Sequence, residues 1–450
     1  MLACWEESAF ECDFVSVKFL NRRIFLCNSP ESVQFALSSH NDSFGRKSPQ
    51  HRHSLIPLLG DGLFVSDGEL WRKRRRVVAP ILHASRLAGY APVMLETALE
   101  TRARWSGLPH GAEIDALAEM AQLTAEIICR TIFGRQLGRD DAAEVVRNFS
   151  EYQRHIMKVD LISSLGLPDW VPHWYPPRVR RAAAKIHAVL DRIIEGSRAQ
   201  RDKEHASMFA QMSGACDHDT GMTLDARALR NEAAVLFMAG HETTANALAW
   251  TWFLLSQAPE VEARLHAEID QVLGDRPPTL DDVPKLVYTR AVFEETIRLY
   301  PPVPLLSRET TVDETFNGRS IPKRSIIFVM PWLLHRKKKL WDRPDHFIPE
   351  RFLPGGETPA SKFSYIAFST GPRICPGMRF GLTEAVLCIA TLAQKFRLRL
   401  KPGHEVMAQC RLTLRPGDHL PMQLHRREAS TSGPAAESGP TAPACPVDHG

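Results

Sequence analysis

The run DARALRNEAAVLFMAGHETTANALAWTWFLLSQ, residues 225–257, constrains the fold more than any other stretch. As a helix rising 1.5 Å per residue it spans about 50 Å, enough to cross a whole domain. So apolar a run raises the question of a membrane span. His241, Glu242, Thr243 and Thr244 interrupt it near the middle, however, and an acid and a histidine would be costly in lipid with no second span to shelter them. A helix through the core of a large domain is the better reading, and no membrane span is expected.

Around that helix the chain reads as mostly α with a smaller β-rich portion. Residues 13–26, DFVSVKFLNRRIFL, alternate about NRR in the manner of a hairpin. SPESVQFALSS follows as a short helix opened by Ser29, with Pro30 in its first turn. From about residue 69 to 285 helical patterns dominate, and after Pro301 segments such as RSIPKRSIIFVMP return to strands and loops. Residues 1–426 are expected to form one domain, and 427–450, rich in Ser, Ala, Gly and Pro, a disordered low-complexity tail. The first thirty residues show neither a signal pattern nor an apolar anchor, so a cytoplasmic location is expected.

Charge excludes little except nucleic acid: over 450 residues the net charge is only +4, too modest for a polyelectrolyte partner. Two runs stand out locally, WRKRRR at 71–76 and HRKKK at 335–339. On charge alone they suit phosphates, anionic lipid or an acidic protein.

Nine cysteines are scattered without a CxxC or any paired spacing, so neither a disulfide framework nor a zinc site is indicated. Cys375, in AFSTGPRICPGMRF, has the most particular setting. Gly371-Pro372 forces a turn before it, and Pro376 suits the first position of a following helix. At a helix N-terminus the macrodipole and unpaired N–H groups favour an anion, which lowers the thiol pKa and makes thiolate the resting form. Gly377 admits a flat ligand and Arg373 supplies a cation. Such a thiolate suits the axial position of a haem iron. A buried structural cysteine at a helix cap is the other reading these residues leave open. Cys445-Pro446, in the tail, lacks the glycine turn, the arginine and the following helix, and reads as an inert thiol.

FSTGPRICPG, with Phe368, Gly371, Arg373, Cys375 and Gly377, resembles the haem-binding signature of the cytochrome P-450 superfamily, the haem-thiolate monooxygenases. The likeness extends in order and spacing to GDGLFVSDGELWRKRRRVVAPIL, MAGHETTANAL, EETIRLYPPVP and IPERF, and covers nearly the whole chain to about residue 425. In wording, GDGLF, AGHETT and PERF are most similar to the fatty-acid-hydroxylase branch, while the family's Pro-rich lead-in is missing. The resemblance implies the cytochrome P-450 fold with the long helix crossing haem b, iron protoporphyrin IX. It implies Cys375 as the iron ligand, Phe368 shielding the sulfur, and Trp71, Arg75, Arg373 and Arg308 as donors to the haem propionates. Glu295 and Arg298, at i and i+3 on one helix face, would lock onto Arg351 in a structural role. Glu242 and Thr243 would relay protons for oxygen activation, with Gly240 letting the helix open locally.

The implied reaction inserts one oxygen atom of O2 into a hydrophobic small molecule, a fatty acid or terpenoid, as hydroxylation. The apolar HSLIPLLGDGLF, Ala239, Val303 and Leu305 are expected to face that substrate. Electrons would come from NAD(P)H through a separate acidic ferredoxin or flavodoxin-like donor and its reductase, with Arg72, Lys73, Arg74 and Arg76 forming a positive docking face. The alternatives are an isomerase or dehydratase on the same fold, or a non-catalytic haem sensor. Glu242-Thr243 argues against the first and an apolar pocket against the second.

Overall fold

The computed structural model describes residues 7–427 apart from 135–138, 157–160, 166, 168, 200–206 and 218; the tail with Cys445 lies outside the described residues. The long apolar run is one helix, Ala226–Gln257, opened by Asp225, whose carboxylate accepts the Ala228 N–H at 2.7 Å. Helices Ala116–Phe133, Pro177–Ala199, Val287–Leu299 and Met378–Ala393 pack around this central helix. That explains why its apolar residues do not keep to one face: a helix covered on several sides is apolar all round.

Gly240 does not open the central helix, which runs without a break from end to end. The glycine serves close approach instead. A Cβ at Gly240 would meet Ile128 Cδ1 of the helix Ala116–Phe133 at 2.7 Å.

The hairpin forms as expected, with Phe14–Phe19 antiparallel to Arg22–Cys27 and Leu20 in the turn at φ 52°. It is one edge of a five-stranded sheet that continues through Ile326–Val329 and Leu306–Glu309 to Arg46–Lys47. Arg22–Cys27 and Ile326–Val329 run parallel, with Ile24 opposite Ile326. The other pairs are antiparallel, and Lys47 lies opposite Arg308. Pro30–Gln34 is the short helix predicted after the hairpin, held by a capping box between Ser29 and Ser32 and continued by one π-helical turn, Phe35–Ser39.

The run at 335–339 is not a surface patch. His335, Arg336 and Lys337 are buried. Lys337 Nζ donates to the carbonyls of Cys12 (3.0 Å) and Asn28 (2.9 Å) and pairs with Asp13, and Arg336 stacks over Trp332 at 3.6 Å. Only Lys338 and Lys339 of the run are exposed. Charge counting could not see this, because Lys337's carbonyl partners lie about three hundred residues away in sequence.

The loop that carries Cys375 is set against the N-terminal π turn by Gly371. It takes φ +69°, and a Cβ there would stand 1.9 Å from the Leu37 carbonyl oxygen. The backbone conformation alone costs a substituted residue about 1–3 kcal/mol, and the clash adds to it. Gly371→Ala is therefore expected to lower the urea midpoint and the fraction of protein that retains haem; a variant equal to wild type in both would show that this contact does not hold the loop.

Candidate active site

The cysteine loop is closed by its own backbone. Ser369 and Gly371 both lie in the left-handed region, at φ 62° and 69°. The Cys375 N–H then donates to the Phe368 carbonyl at 2.9 Å, and the Ile374 N–H to Gly371 at 3.0 Å. The following helix begins at Met378 with Gly377 as its cap, so Pro376 precedes the helix rather than filling its first position. Protein surrounds Cys375, and its side chain opens on a cavity.

The thiol does not rest as thiolate by virtue of the helix end. Burial pushes the Cys375 thiol up, and the Gly377 N–H and the Arg75 charge pull it down without overcoming that effect. A metal ion at the sulfur reverses the balance, because a coordinating thiol is deprotonated outright.

On one side of the cavity cations crowd together. Lys47 and Arg308 sit opposite each other on paired strands, a placement that like charges disfavour. Arg373 stacks over the Trp71 ring at 4.4 Å and donates to the Ser66 carbonyl at 3.0 Å; Arg75 donates to the Ile374 carbonyl at 2.8 Å. Burial lowers Arg308 to about 10, and burial with the neighbouring Arg308 lowers Arg373 to about 9. Lys47 is held well below its usual range by burial, then by Arg308 and Arg373. His51, which meets Ser307 Oγ at 2.6 Å, is neutral, pushed to about 3 by burial, then by Lys47 and Arg308. Asp67 offsets part of this, acting on Arg373 while bonded to Arg46. Such a cluster calls for anions, and a haem with two carboxylates beside a thiol ligand fits it. Sequence reasoning found Trp71, Arg75, Arg308 and Arg373 but missed Lys47 and His51.

Most of the rest of the lining is apolar, with Leu63, Val235, Phe293, Ile297 and Leu412, and Phe64 lies under Lys47, whose Nζ stands 3.9 Å from its ring. Ala239 and Val303 line the cavity. Leu305 does not; it packs into the main core while the next residue, Leu306, reaches the cavity. Thr243 and Glu242 line the cavity from the middle of the central helix. The Thr243 hydroxyl donates back to the Ala239 carbonyl at 2.6 Å. Glu232, one helical stretch earlier, takes the Leu63 N–H at 2.9 Å and Arg74 at 2.6 Å, tying the loop 60–66 to the central helix.

That pairing removes Arg74 from any docking face. Arg76 is likewise paired with Asp217 at 2.9 Å, and Arg72 with Glu69 at 2.5 Å and Asp42 at 3.0 Å. The expected positive face at 72–76 is therefore largely neutralised.

Behind the cysteine loop, Glu295, Arg298 and Arg351 meet. Arg298 forks onto Glu295 at 2.6 and 2.8 Å, both fully buried, and Arg351 Nε reaches Glu295 Oε1 at 3.4 Å. Arg298 also donates to the carbonyls of His335 (2.8 Å), Pro344 (2.7 Å) and His346 (3.1 Å). His335 carries the connection onward. Its Nε2 accepts the Ile366 N–H at 3.0 Å, which leaves Nδ1 to donate to the Arg298 carbonyl at 3.2 Å. The ring is kept neutral, pushed to about 3 by burial and then by Arg298. Ile366 opens the strip that leads to Phe368 and Cys375, so His335 joins the ionic lock to the cysteine loop.

The family model for cytochrome P450 matches residues 8–419. The chain belongs to the cytochrome P450 family. Members are haem-iron monooxygenases, and this chain is accordingly an oxidoreductase of that family. It is 34% identical over 414 residues to cyclooctatin synthase of Streptomyces melanosporofaciens, covering 90% of this chain and 87% of that one. It is 32% identical over 397 residues to cyclooctat-9-en-7-ol 5-monooxygenase of the same organism, covering 87% and 83%. The crystal structure of the cytochrome P450DA heme domain superposes with a TM-score of 0.81 at 25% identity, covering 93% of this chain and 90% of that one. No helix among the described residues of this P450 is long and apolar enough to cross a membrane.

Proposed function

We propose that this P450 hydroxylates an uncharged terpenoid, with Cys375 as the iron ligand and Glu242 and Thr243 as its proton donors. The observation that carries the substrate class is the make-up of the cavity lining. Its cations, Lys47, Arg75, Arg308 and Arg373, gather on the side of Cys375 and Trp71, where the haem carboxylates need them. Beyond these four, the lining holds no cation to pair with a fatty-acid carboxylate. The two Streptomyces relatives, one of them named for oxygenating an alcohol of the cyclooctatin series, support the same reading.

Haem, held through Cys375, would supply the iron at which O2 is activated. The chain's own residues do the rest. Lys47, Arg75, Arg308 and Arg373 would hold the two propionates, Trp71 supporting Arg373 through its ring, while Phe368 would shield the sulfur and Gly377 give clearance. Leu63, Phe64, Phe293 and Leu412 exclude water and orient the hydrocarbon. Thr243 and Glu242 move protons from the helix into the cavity. Electrons arrive from NAD(P)H by way of a reductase and a ferredoxin or flavodoxin-like carrier in the cytoplasm. With 72–76 largely neutralised, Arg379, exposed on the first turn of the helix after Cys375, is the cation best placed to meet an acidic carrier.

Optical difference spectra of the ferric enzyme test the substrate class, because displacement of water from the iron reports a fit without a redox partner. Uncharged di- and sesquiterpenoids are expected to bind at least tenfold more tightly than fatty acids of matching carbon number. Tight binding confined to the fatty acids would overturn the proposal.

A further inference from the structure

Glu242 takes its side-chain partner from a different helix than its neighbour Thr243. The Gln153 amide, on the helix Arg139–Ile156, donates through Nε2 to Glu242 Oε2. Both residues are buried. The C-terminal segment closes the other side: Thr413, which accepts from Asn246 at 2.8 Å, bonds Glu242, and Arg415 and Arg411 act on it by charge. Asp418 is taken up by Arg411, and Arg154, next to Gln153, faces Arg415 and Asp418. His241, on the central helix, is neutral and stacks on Phe237.

Two buried atoms around this carboxyl group lack partners, and they have opposite needs. Gln153 Oε1 has no donor, and Arg415 Nε has no acceptor. A protonated carboxyl group answers the first. Its O–H donates to the amide oxygen while the amide N–H donates to its carbonyl, closing a ring of two hydrogen bonds. An ionised carboxylate has no proton for Gln153 Oε1 but is an acceptor for Arg415. The two orphans therefore mark two resting places for one side chain, selected by one proton. Burial favours the first, raising the Glu242 carboxyl against the pull of Arg415, Thr413 and Arg411; the Gln153 N–H alone also lowers it, and only the second hydrogen bond, from the acid O–H to Gln153 Oε1, makes the amide favour the neutral form.

We propose that Glu242 rests as a neutral acid paired with the Gln153 carboxamide, and that on giving up its proton it turns to Arg415. Gln153 is then a positioning residue: it stores the proton at the edge of the cavity and is released when the proton leaves. One proton departs from the Glu242 carboxyl group into the cavity, and one from solvent replaces it before the pair reforms. This rests on the reading of Glu242 as a proton donor given above.

Infrared pH titration of the ferric holoenzyme tests it. A carboxylic-acid C=O band that is present at neutral pH and disappears in Glu242→Gln is expected. In Gln153→Leu that band should move to higher frequency as its hydrogen bond is lost, and its acid dissociation constant should rise at least tenfold, one pKa unit, as Arg415 takes the carboxylate. Gln153→Met, closer in shape, repeats the test should leucine disturb packing, and Arg415→Leu should shift the titration the opposite way. Absence of any Glu242-dependent acid band at neutral pH, or a band and midpoint unchanged in the Gln153 variants, would overturn the pairing. Coupling of NAD(P)H use to product separates this from the relay: unchanged coupling in Glu242→Gln removes the relay whatever the band does, and lost coupling with no acid band removes the pairing alone.

Discussion

Cys375→Ala is expected to abolish monooxygenase turnover and the long-wavelength absorbance band of the reduced carbon-monoxide complex, with the fold retained. The argument is one of separable roles. The loop owes its shape to Ser369, Gly371 and the hydrogen bond from the Cys375 N–H to the Phe368 carbonyl, none of which needs the sulfur. The cations Lys47, Arg75, Arg308 and Arg373 likewise remain, so the variant can still take up haem through its carboxylates. What is lost is the thiolate, which alone pushes electron density onto the iron in the way the family's chemistry requires. Loss of a ligand contact also lowers haem affinity, and with it the extra stability a bound group confers by mass action. Persistence of the band in the alanine variant would sink the ligand assignment.

The largest effect on stability is expected from Glu295→Ala. Glu295 and Arg298 are both fully buried, and the glutamate also takes the Ile348 N–H at 2.9 Å and Arg351. Removing one member of a buried pair leaves an uncompensated charge and costs about 3–5 kcal/mol, a large part of the roughly 5–15 kcal/mol that holds a native protein folded. Arg298→Ala should cost as much, since three backbone carbonyls lose their donors with it. The double variant should be less harmful than the sum of the two, because residues in one network couple. Urea denaturation of the three proteins, with haem content measured alongside, checks this. Additive losses would mean that the two side chains act separately and that no lock exists.

Much of this site is legible in the sequence because its chemistry is local. Cys375, Gly371 and Phe368 lie within eight residues, and Glu295 and Arg298 share one helix face. Lys47 is different. Its neighbours GRKSPQHRHS contain no motif, and its importance comes from lying opposite Arg308 across a strand pair that joins residues 261 apart. The run at 335–339 misleads for the same reason, since its burial depends on carbonyls of Cys12 and Asn28. Cys375 shows a different limit. The Gly377 N–H does pull the thiol down, but the cation that acts on it is Arg75 rather than Arg373, and only the packed structure shows how far burial opposes both.

The order of strands in the five-stranded sheet has a consequence for how the protein is made. Residues 22–27 wait for 326–329, and residues 46–47 wait for 306–309. At about 5–20 residues per second on the ribosome, the first strands stand unpaired on that side for about 15–60 s before their partners exist. The cysteine loop comes later still, and it needs the π turn at 35–39 already in position to receive Gly371. Haem capture is therefore a late event in biosynthesis, and during the wait the hairpin edge stands with Phe25 and Leu26 uncovered.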